Sequence, residues 1–99
     1  MNISVFNTYI HPEAAKKVSD VLGSTFISEG KLVKDFEKKL TSELGIKNPV
    51  AVNSGTSALH LALVMAGVKR NDEVILSAQT FIATGSVILQ QSAVPVFAD

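Results

Sequence analysis

The residues best suited to chemistry lie in one short stretch, 53–57, where a predicted strand (49–52) meets a predicted helix (56–66). The first N–H groups of a helix lack an intrahelical partner, and the positive end of the helix dipole lies beside them. Gly55 lets a ligand approach the backbone closely. Three hydroxyl groups stand beside it, on Ser54, Thr56 and Ser57. This combination is typical of a phosphate site, and a capped helix that binds nothing is the alternative.

A second turn of the same kind, 77–81, joins a predicted strand (73–77) to a predicted helix (81–91). Ligands of open α/β sheets bind outside the carboxyl ends of the strands, so we expect the two turns to face one cavity. Phe81 would lie at its mouth, as a flat apolar surface on which an aromatic ligand could stack. A phenylalanine buried in the core is the alternative.

The elements that must position these turns form an α/β pattern. Apolar residues recur at helical spacing over 12–22 and 31–44, which predicts two amphipathic helices. From residue 49 the order is β-α-β-α-β, and the last strand (96–99) follows Pro95. This order is typical of a mostly parallel sheet covered by helices. We divide the chain into an N-terminal helical segment, 1–48, and the start of an α/β domain, 49–99.

The composition predicts that these elements belong to a larger domain. The 99 residues are 46% hydrophobic, and the mean hydropathy is +0.30. A small domain has a high surface-to-volume ratio and needs more polar cover than this. The helix 56–66 is apolar on nearly every face, which predicts that it is buried.

Charge and residue usage exclude several function classes. Nine basic and nine acidic residues leave no net charge, which argues against a nucleic-acid partner. The chain has no cysteine, so it has neither disulfides nor thiolate metal sites. The two histidines are far apart, and no metal site is predicted. The longest apolar run, 61–68, is too short to span a bilayer. No signal peptide is found, so we expect a cytoplasmic protein that does not contact a membrane.

Four sequence blocks, at 53–63, 71–75, 79–84 and 93–99, read NSGTSALHLAL, NDEVI, QTFIAT and AVPVFAD. In this order and spacing they resemble the DegT/DnrJ/EryC1/StrS aminotransferase family. These enzymes depend on pyridoxal 5'-phosphate (PLP) and mostly aminate nucleotide-linked keto-sugars. The resemblance implies that the chain is the N-terminal part of a fold-type-I (aspartate aminotransferase-like) large domain.

The resemblance also implies four cofactor-binding residues. Thr56 and Ser57 match the positions that bind the PLP phosphate through backbone N–H and hydroxyl groups. Gly55 matches the glycine that permits close approach. Phe81 matches the aromatic residue that stacks on the pyridine ring. No catalytic residue is assigned.

Three other features are given weaker roles. Asp99 does not match the family's aspartate on the pyridine nitrogen, and we interpret it as a structural residue at a strand end. His60 lies on an apolar helix, and we interpret it as a packed core histidine. The segment 25–30 resembles a loop that approaches the substrate in the family, and a surface turn is the alternative.

The family's Schiff-base lysine has no match among the lysines of this sequence. The resemblance therefore implies a longer, homodimeric enzyme that transfers an amino group from glutamate to a nucleotide-linked keto-sugar, and we expect the 99-residue chain alone to be inactive. Two alternatives stay open. One is a pyridoxamine-phosphate-dependent sugar dehydratase of the same family. The other is a non-catalytic truncated product that binds a complementing chain.

Overall fold

The computed structural model describes residues 3–28 and 30–98. The chain divides into two compact units, Met1–Pro49 and Val50–Asp99. The first unit is helical, and the second combines helices with a pair of parallel strands. The predicted α/β class is confirmed.

The first unit holds helices α1 (Ala14–Gly23) and α2 (Lys31–Leu44). The bounds of α2 are those predicted from its apolar stripe. The helix ends at Gly45, whose φ of +68° lies in the left-handed region. The Gly45 N–H donates to the Thr41 carbonyl and the Ile46 N–H to the Leu40 carbonyl. This is the arrangement in which glycine terminates a helix without strain.

The predicted start of α1 at Pro12 is wrong by two residues. The helix begins at Ala14 because the preceding residues form a separate turn. The Ala14 N–H donates to the His11 carbonyl, and the Glu13 N–H donates to the His11 ring Nδ1 at 3.2 Å. His11 therefore takes the two N–H groups that an earlier helix start would have left unpaired.

The second unit holds α3 (Gly55–Met65), β1 (Glu73–Ser77), α4 (Ile82–Gln90) and β2 (Val94–Ala98). β1 and β2 pair in parallel, with Ile75 opposite Val96. The helix α4 packs against both strands and against α3. A parallel pair joined by a helix is the β-α-β unit that the sequence predicts.

The predicted start of β2 at residue 96 is wrong, because pairing with β1 begins at Val94. The Val94 N–H donates to the Asp72 carbonyl at 2.8 Å. Successive N–H groups of a strand point to opposite sides, so the ring nitrogen of Pro95 faces away from β1. A proline is tolerated there because no hydrogen bond to β1 is lost. Asp99, which we interpreted as a strand-end residue, lies outside the described residues.

Two further expectations are wrong for the described part of the chain. Residues 49–52 are not a strand, and the only sheet that the described residues form is β1 with β2. The helix α3 has no buried residue, although its sequence is apolar. α3 packs against α4 alone among the described elements, and one neighbour can cover only one face of a helix.

The core of the second unit lies between α4 and the two strands. Val87 and Ile88 are each 2% exposed, and Leu76 and Ala93 are also buried there. A Cβ on Gly85 would lie 3.7 Å from the Leu76 Cδ1 atom. This is an ordinary van der Waals distance, so α4 and β1 are in contact here and a methyl group at residue 85 would fit.

We predict that Ile88→Ala destabilises this unit by about 2–5 kcal/mol, because it removes buried methylene groups and leaves a cavity. The neighbouring Leu89 is 62% exposed, so Leu89→Ala is the matched control and should cost far less. Denaturant unfolding of the complete protein measures both. Equal losses for the two variants would contradict this description of the core.

Candidate functional site

The first predicted turn is the N-terminus of α3. Ser54 is its N-cap, with an extended backbone (φ −160°, ψ 157°), and its Oγ accepts the Ser57 N–H at 3.1 Å. Serine is among the preferred N-cap residues because its short side chain reaches this N–H. The turn is therefore fixed by its own sequence.

Asn53 extends this cap through the Ser57 side chain. The Ser57 Oγ donates to the Asn53 Oδ1 at 2.7 Å, and it lies 3.0 Å from the Ser54 Oγ. The three side chains thus form one hydrogen-bonded chain at the helix start. The polar groups of Ser57 are engaged within the turn.

Gly55 and Thr56 carry the donors that the cap leaves open. Their N–H groups are the first two of α3 and have no intrahelical acceptor. The Thr56 hydroxyl makes no hydrogen bond to the described residues. A Cβ on Gly55 would meet no atom within 4 Å. Two N–H groups, one hydroxyl and open space meet at the positive end of a helix, which suits an anion.

The second predicted turn leads from β1 into α4. The Ser77 Oγ lies 3.3 Å from both the N and the O of Gln79, and the Thr80 and Thr84 hydroxyls are 3.0 Å apart. Phe81 is the N-cap residue of α4 and is 75% exposed. The alternative of a buried core phenylalanine therefore does not hold among the described residues. The ring is available for stacking.

The structure brings Gly55, Thr56 and Ser57 together in the first turn and places Phe81 in the second. The hydrogen bonds of the first turn stay within it, and so do those that fix the second. The helices that begin at these turns pack against each other. That all four residues bind one ligand stays a prediction.

His60 contacts the C-terminal end of α4 from the middle of α3. It is half-buried, and its Nε2 lies 2.5 Å from the Nε2 of Gln91, which is also half-buried. The amide can donate to the ring nitrogen when that nitrogen carries no proton. This contact packs the middle of α3 against the end of α4. His60 is half-buried and lies outside the buried core of the described residues, so the interpretation as a core histidine is not met.

Asn53 is the functional candidate whose role the sequence did not reveal. It stands just before the N-cap and four residues before Ser57, and this spacing was the available signal. Asparagine is common in turns, so an asparagine before a capped helix does not by itself indicate a function. Its contact with Ser57 becomes apparent only once the helix start is fixed at Gly55.

The segment 25–30 borders an open groove in the first unit. The groove has a volume of about 980 Å³ and is lined by residues of α1, α2 and the connection between them. Thr25 has a φ of +62°, which is unusual for a β-branched residue. Glu29 lies outside the described residues. Both interpretations of this segment, a substrate loop and a surface turn, stay predictions.

Metal-ligand clusters and membrane-spanning helices are two further features that residues 3–28 and 30–98 could contain. No group of three or more histidine, cysteine, aspartate or glutamate side chains there could hold a metal ion. None of the helices in that part of the chain has the length and apolar character needed to cross a membrane.

Comparison with known proteins identifies relatives across nearly the whole sequence. The chain is 44% identical over 90 residues to the spore coat polysaccharide biosynthesis protein SpsC of Bacillus subtilis, which covers 91% of this chain and 23% of SpsC. It is 40% identical over 83 residues to the GDP-perosamine synthase of Caulobacter vibrioides, covering 83% and 22%.

Solved structures share the fold. Spr1654 of Streptococcus pneumoniae, assigned as a sugar aminotransferase and solved in its PLP form, superposes with a TM-score of 0.89 and 35% identity, over 100% of this chain and 25% of that one. The Escherichia coli GDP-4-keto-6-deoxy-D-mannose-3-dehydratase with bound hydrated PLP gives 0.84 and 25% identity, over 99% and 27%.

This chain spans about a quarter of the length of the curated relatives that it matches. The pattern of one family nevertheless matches it from residue 8 to residue 99. The chain therefore belongs to the DegT/DnrJ/EryC1/StrS aminotransferase family.

Proposed function

We propose that this chain is the N-terminal part of a PLP-dependent aminotransferase, which transfers an amino group from glutamate to a nucleotide-linked keto-sugar. The complete enzyme is a cytoplasmic homodimer. Family membership supports the reaction class, and the names of the relatives support the sugar substrate. The lysine that holds the cofactor covalently belongs to a part of the enzyme outside these 99 residues, so this chain alone is inactive.

The observation that carries this proposal is the donor set at the start of α3. The Thr56 hydroxyl has no hydrogen-bond partner among the described residues, and a Cβ on Gly55 would meet none of their atoms within 4 Å. A phosphate monoester presents anionic oxygens that accept from such donors. The exposed ring of Phe81 offers an apolar face of the kind that suits a pyridine ring. The residues present therefore fit PLP.

When bound, PLP supplies the electron sink of the reaction, and the protein supplies binding and orientation. In this proposal Thr56 and the first N–H groups of α3 anchor the phosphate. Phe81 covers one face of the ring and excludes water from it. Anchoring at two points fixes the orientation of the cofactor, and orientation is a large part of what an enzyme contributes.

A sugar dehydratase of the same family is the second candidate. It is favoured by the superposition on the E. coli dehydratase. The two candidates differ in what the keto-sugar becomes. An aminotransferase replaces the keto oxygen by an amino group, whereas a pyridoxamine-phosphate-dependent dehydratase would remove a hydroxyl group as water. The two electrons of this reduction would be supplied by glutamate through the amino form of the cofactor, so that 2-oxoglutarate and ammonia are the by-products.

One experiment separates the two candidates. The complete protein is loaded with PLP and incubated with glutamate and GDP-4-keto-6-deoxymannose, and the products are identified by mass spectrometry. We expect an aminated sugar nucleotide and 2-oxoglutarate in equal amounts. A deoxygenated keto-sugar would identify the dehydratase, and recovery of unchanged substrates would contradict both candidates for this sugar.

The open space beside Gly55 gives a further prediction. Gly55→Ala should leave the melting temperature of the cofactor-free protein unchanged or slightly higher, because the new methyl group meets no atom of the described residues and alanine favours a helix. The same methyl group occupies space needed by the phosphate, so we expect PLP affinity to fall by about tenfold or more. Gly23→Ala, at a glycine that also has no atom near its Cβ position, is the matched control. Unchanged PLP affinity in Gly55→Ala would count against the phosphate cradle, the site formed by the Thr56 hydroxyl and the N–H groups of Gly55 and Thr56.

A further inference from the structure

The side chains of Asn53, Ser54 and Ser57 form a hydrogen-bonded chain whose proton directions can be worked out. The Ser57 Oγ has one proton, and the Asn53 Oδ1 at 2.7 Å can only accept. That proton is therefore committed to Asn53. In the 3.0 Å contact between the two serine hydroxyls the donor must then be Ser54. The Ser54 Oγ in turn accepts the Ser57 N–H at 3.1 Å.

This direction divides the donors of the turn into two groups. The N–H and hydroxyl of Ser57 are both used inside the cap, as is the hydroxyl of Ser54. The Thr56 hydroxyl has no partner among the described residues. The resemblance assigns Thr56 and Ser57 the same role, but the structure distinguishes them. The Thr56 hydroxyl is available to a ligand, whereas the Ser57 hydroxyl and N–H are hydrogen-bonded within the turn.

We propose that Asn53 is a positioning residue of the phosphate cradle. Its side-chain oxygen takes the Ser57 proton, so that Ser57 braces the N-cap and Thr56 is left as the hydroxyl donor to the phosphate. The inference rests on the proposed function, because it assigns Asn53 a role toward the phosphate of PLP. Asn53 acts through Ser57 and does not itself touch the cofactor.

The brace matters because the geometry of the open donors depends on it. The N–H groups of Gly55 and Thr56 bind an anion well only when the first turn of α3 is held at its helical geometry. Without Asn53 the Ser57 proton loses its fixed acceptor, so the contact between the Ser54 and Ser57 hydroxyls no longer has a single donor. The cap loosens, and the donors become less well aligned for the phosphate.

The test is a double-mutant cycle on the complete protein, with Asn53→Ala, Ser57→Ala and the double variant. Dissociation constants are measured for PLP and for pyridoxal, which lacks the phosphate. We expect Asn53→Ala to weaken PLP binding about tenfold, because the donors to the charged phosphate become less well aligned. Pyridoxal binding should be unchanged, because pyridoxal has no phosphate. In the Ser57→Ala background the same change should have little further effect, because the residue through which Asn53 acts is gone.

Two results would overturn the role of Asn53: equal losses in the two backgrounds, or equal losses for PLP and pyridoxal. Unchanged or tighter PLP binding in Asn53→Ala would also overturn it, since the freed Ser57 hydroxyl would then be serving the phosphate. Asn7→Ala is the control, at an exposed asparagine of the first unit. Failure of the proposed function looks different, because wild-type protein would then show no preference for PLP over pyridoxal.

A second variant keeps the test valid if Asn53→Ala does not fold. Asn53→Asp retains an acceptor oxygen for the Ser57 hydroxyl and adds a negative charge beside the cradle. We expect it to keep the wild-type melting temperature without cofactor, and to weaken PLP binding in a way that high salt partly relieves. PLP affinity equal to wild type in Asn53→Asp would show that the phosphate lies elsewhere.

Discussion

Thr56→Val should weaken PLP binding by the complete protein by about 10- to 100-fold. Valine keeps the size and branching of threonine but removes the hydroxyl, which has no hydrogen-bond partner among residues 3–28 and 30–98. A hydrogen bond to a charged group contributes about 1.5–3 kcal/mol, and 1.4 kcal/mol corresponds to a factor of ten. Titration of the cofactor-free protein, followed by absorbance, measures the change.

The matched control for this variant is Thr41→Val. Thr41 lies on α2 and is exposed, and its hydroxyl donates to the Glu37 carbonyl of its own helix. It should not change PLP affinity. If Thr56→Val and Thr41→Val bind PLP equally well, the start of α3 is a capped helix that holds no phosphate.

Phe81→Ala should have the second large effect. The ring is 75% exposed at the start of α4, so its removal leaves no cavity among the described residues. We expect PLP affinity to fall by about tenfold, because stacking and apolar cover are lost together. The absorbance maximum of the bound cofactor should also shift, since the environment of the pyridine ring changes.

Two companion variants make the Phe81 result specific. Phe81→Tyr retains a flat ring and should keep both the affinity and the spectrum. Ile82→Ala removes a neighbouring side chain of similar exposure, 76%, and should change neither. A wild-type spectrum in Phe81→Ala would contradict stacking on the cofactor.

The elements that the sequence predicted well are those whose signals are local. α2 was predicted with its observed bounds because a regular apolar stripe and Gly45 mark them. β1 is predicted because a short apolar run follows the polar turn at 69–72. Both signals depend on neighbouring residues alone, so they operate whatever the rest of the protein does.

The predictions that were wrong depend on partners distant in the sequence. Residues 49–52 are apolar enough for a strand, but a strand is defined by the neighbour with which it pairs. The burial of α3 likewise needs elements on several sides, and α4 covers only one. β2 begins two residues before its predicted start for the same reason. The Val94 N–H pairs with the Asp72 carbonyl, and this bond places the start of the strand before Pro95.

The site shows the same division. The positions of Gly55, Thr56, Ser57 and Phe81 at two helix starts follow from local sequence. The difference between Thr56 and Ser57 could not be predicted, because it depends on which hydroxyl meets the Asn53 oxygen. That contact exists only once the first turn of α3 has formed.

The most direct test of the account is a crystal structure of the complete protein with PLP. We predict that the phosphate lies within hydrogen-bonding distance of the Thr56 hydroxyl and of the N–H groups of Gly55 and Thr56, with the pyridine ring stacked on Phe81. A phosphate bound away from the start of α3, with the Thr56 hydroxyl facing solvent, would contradict the account.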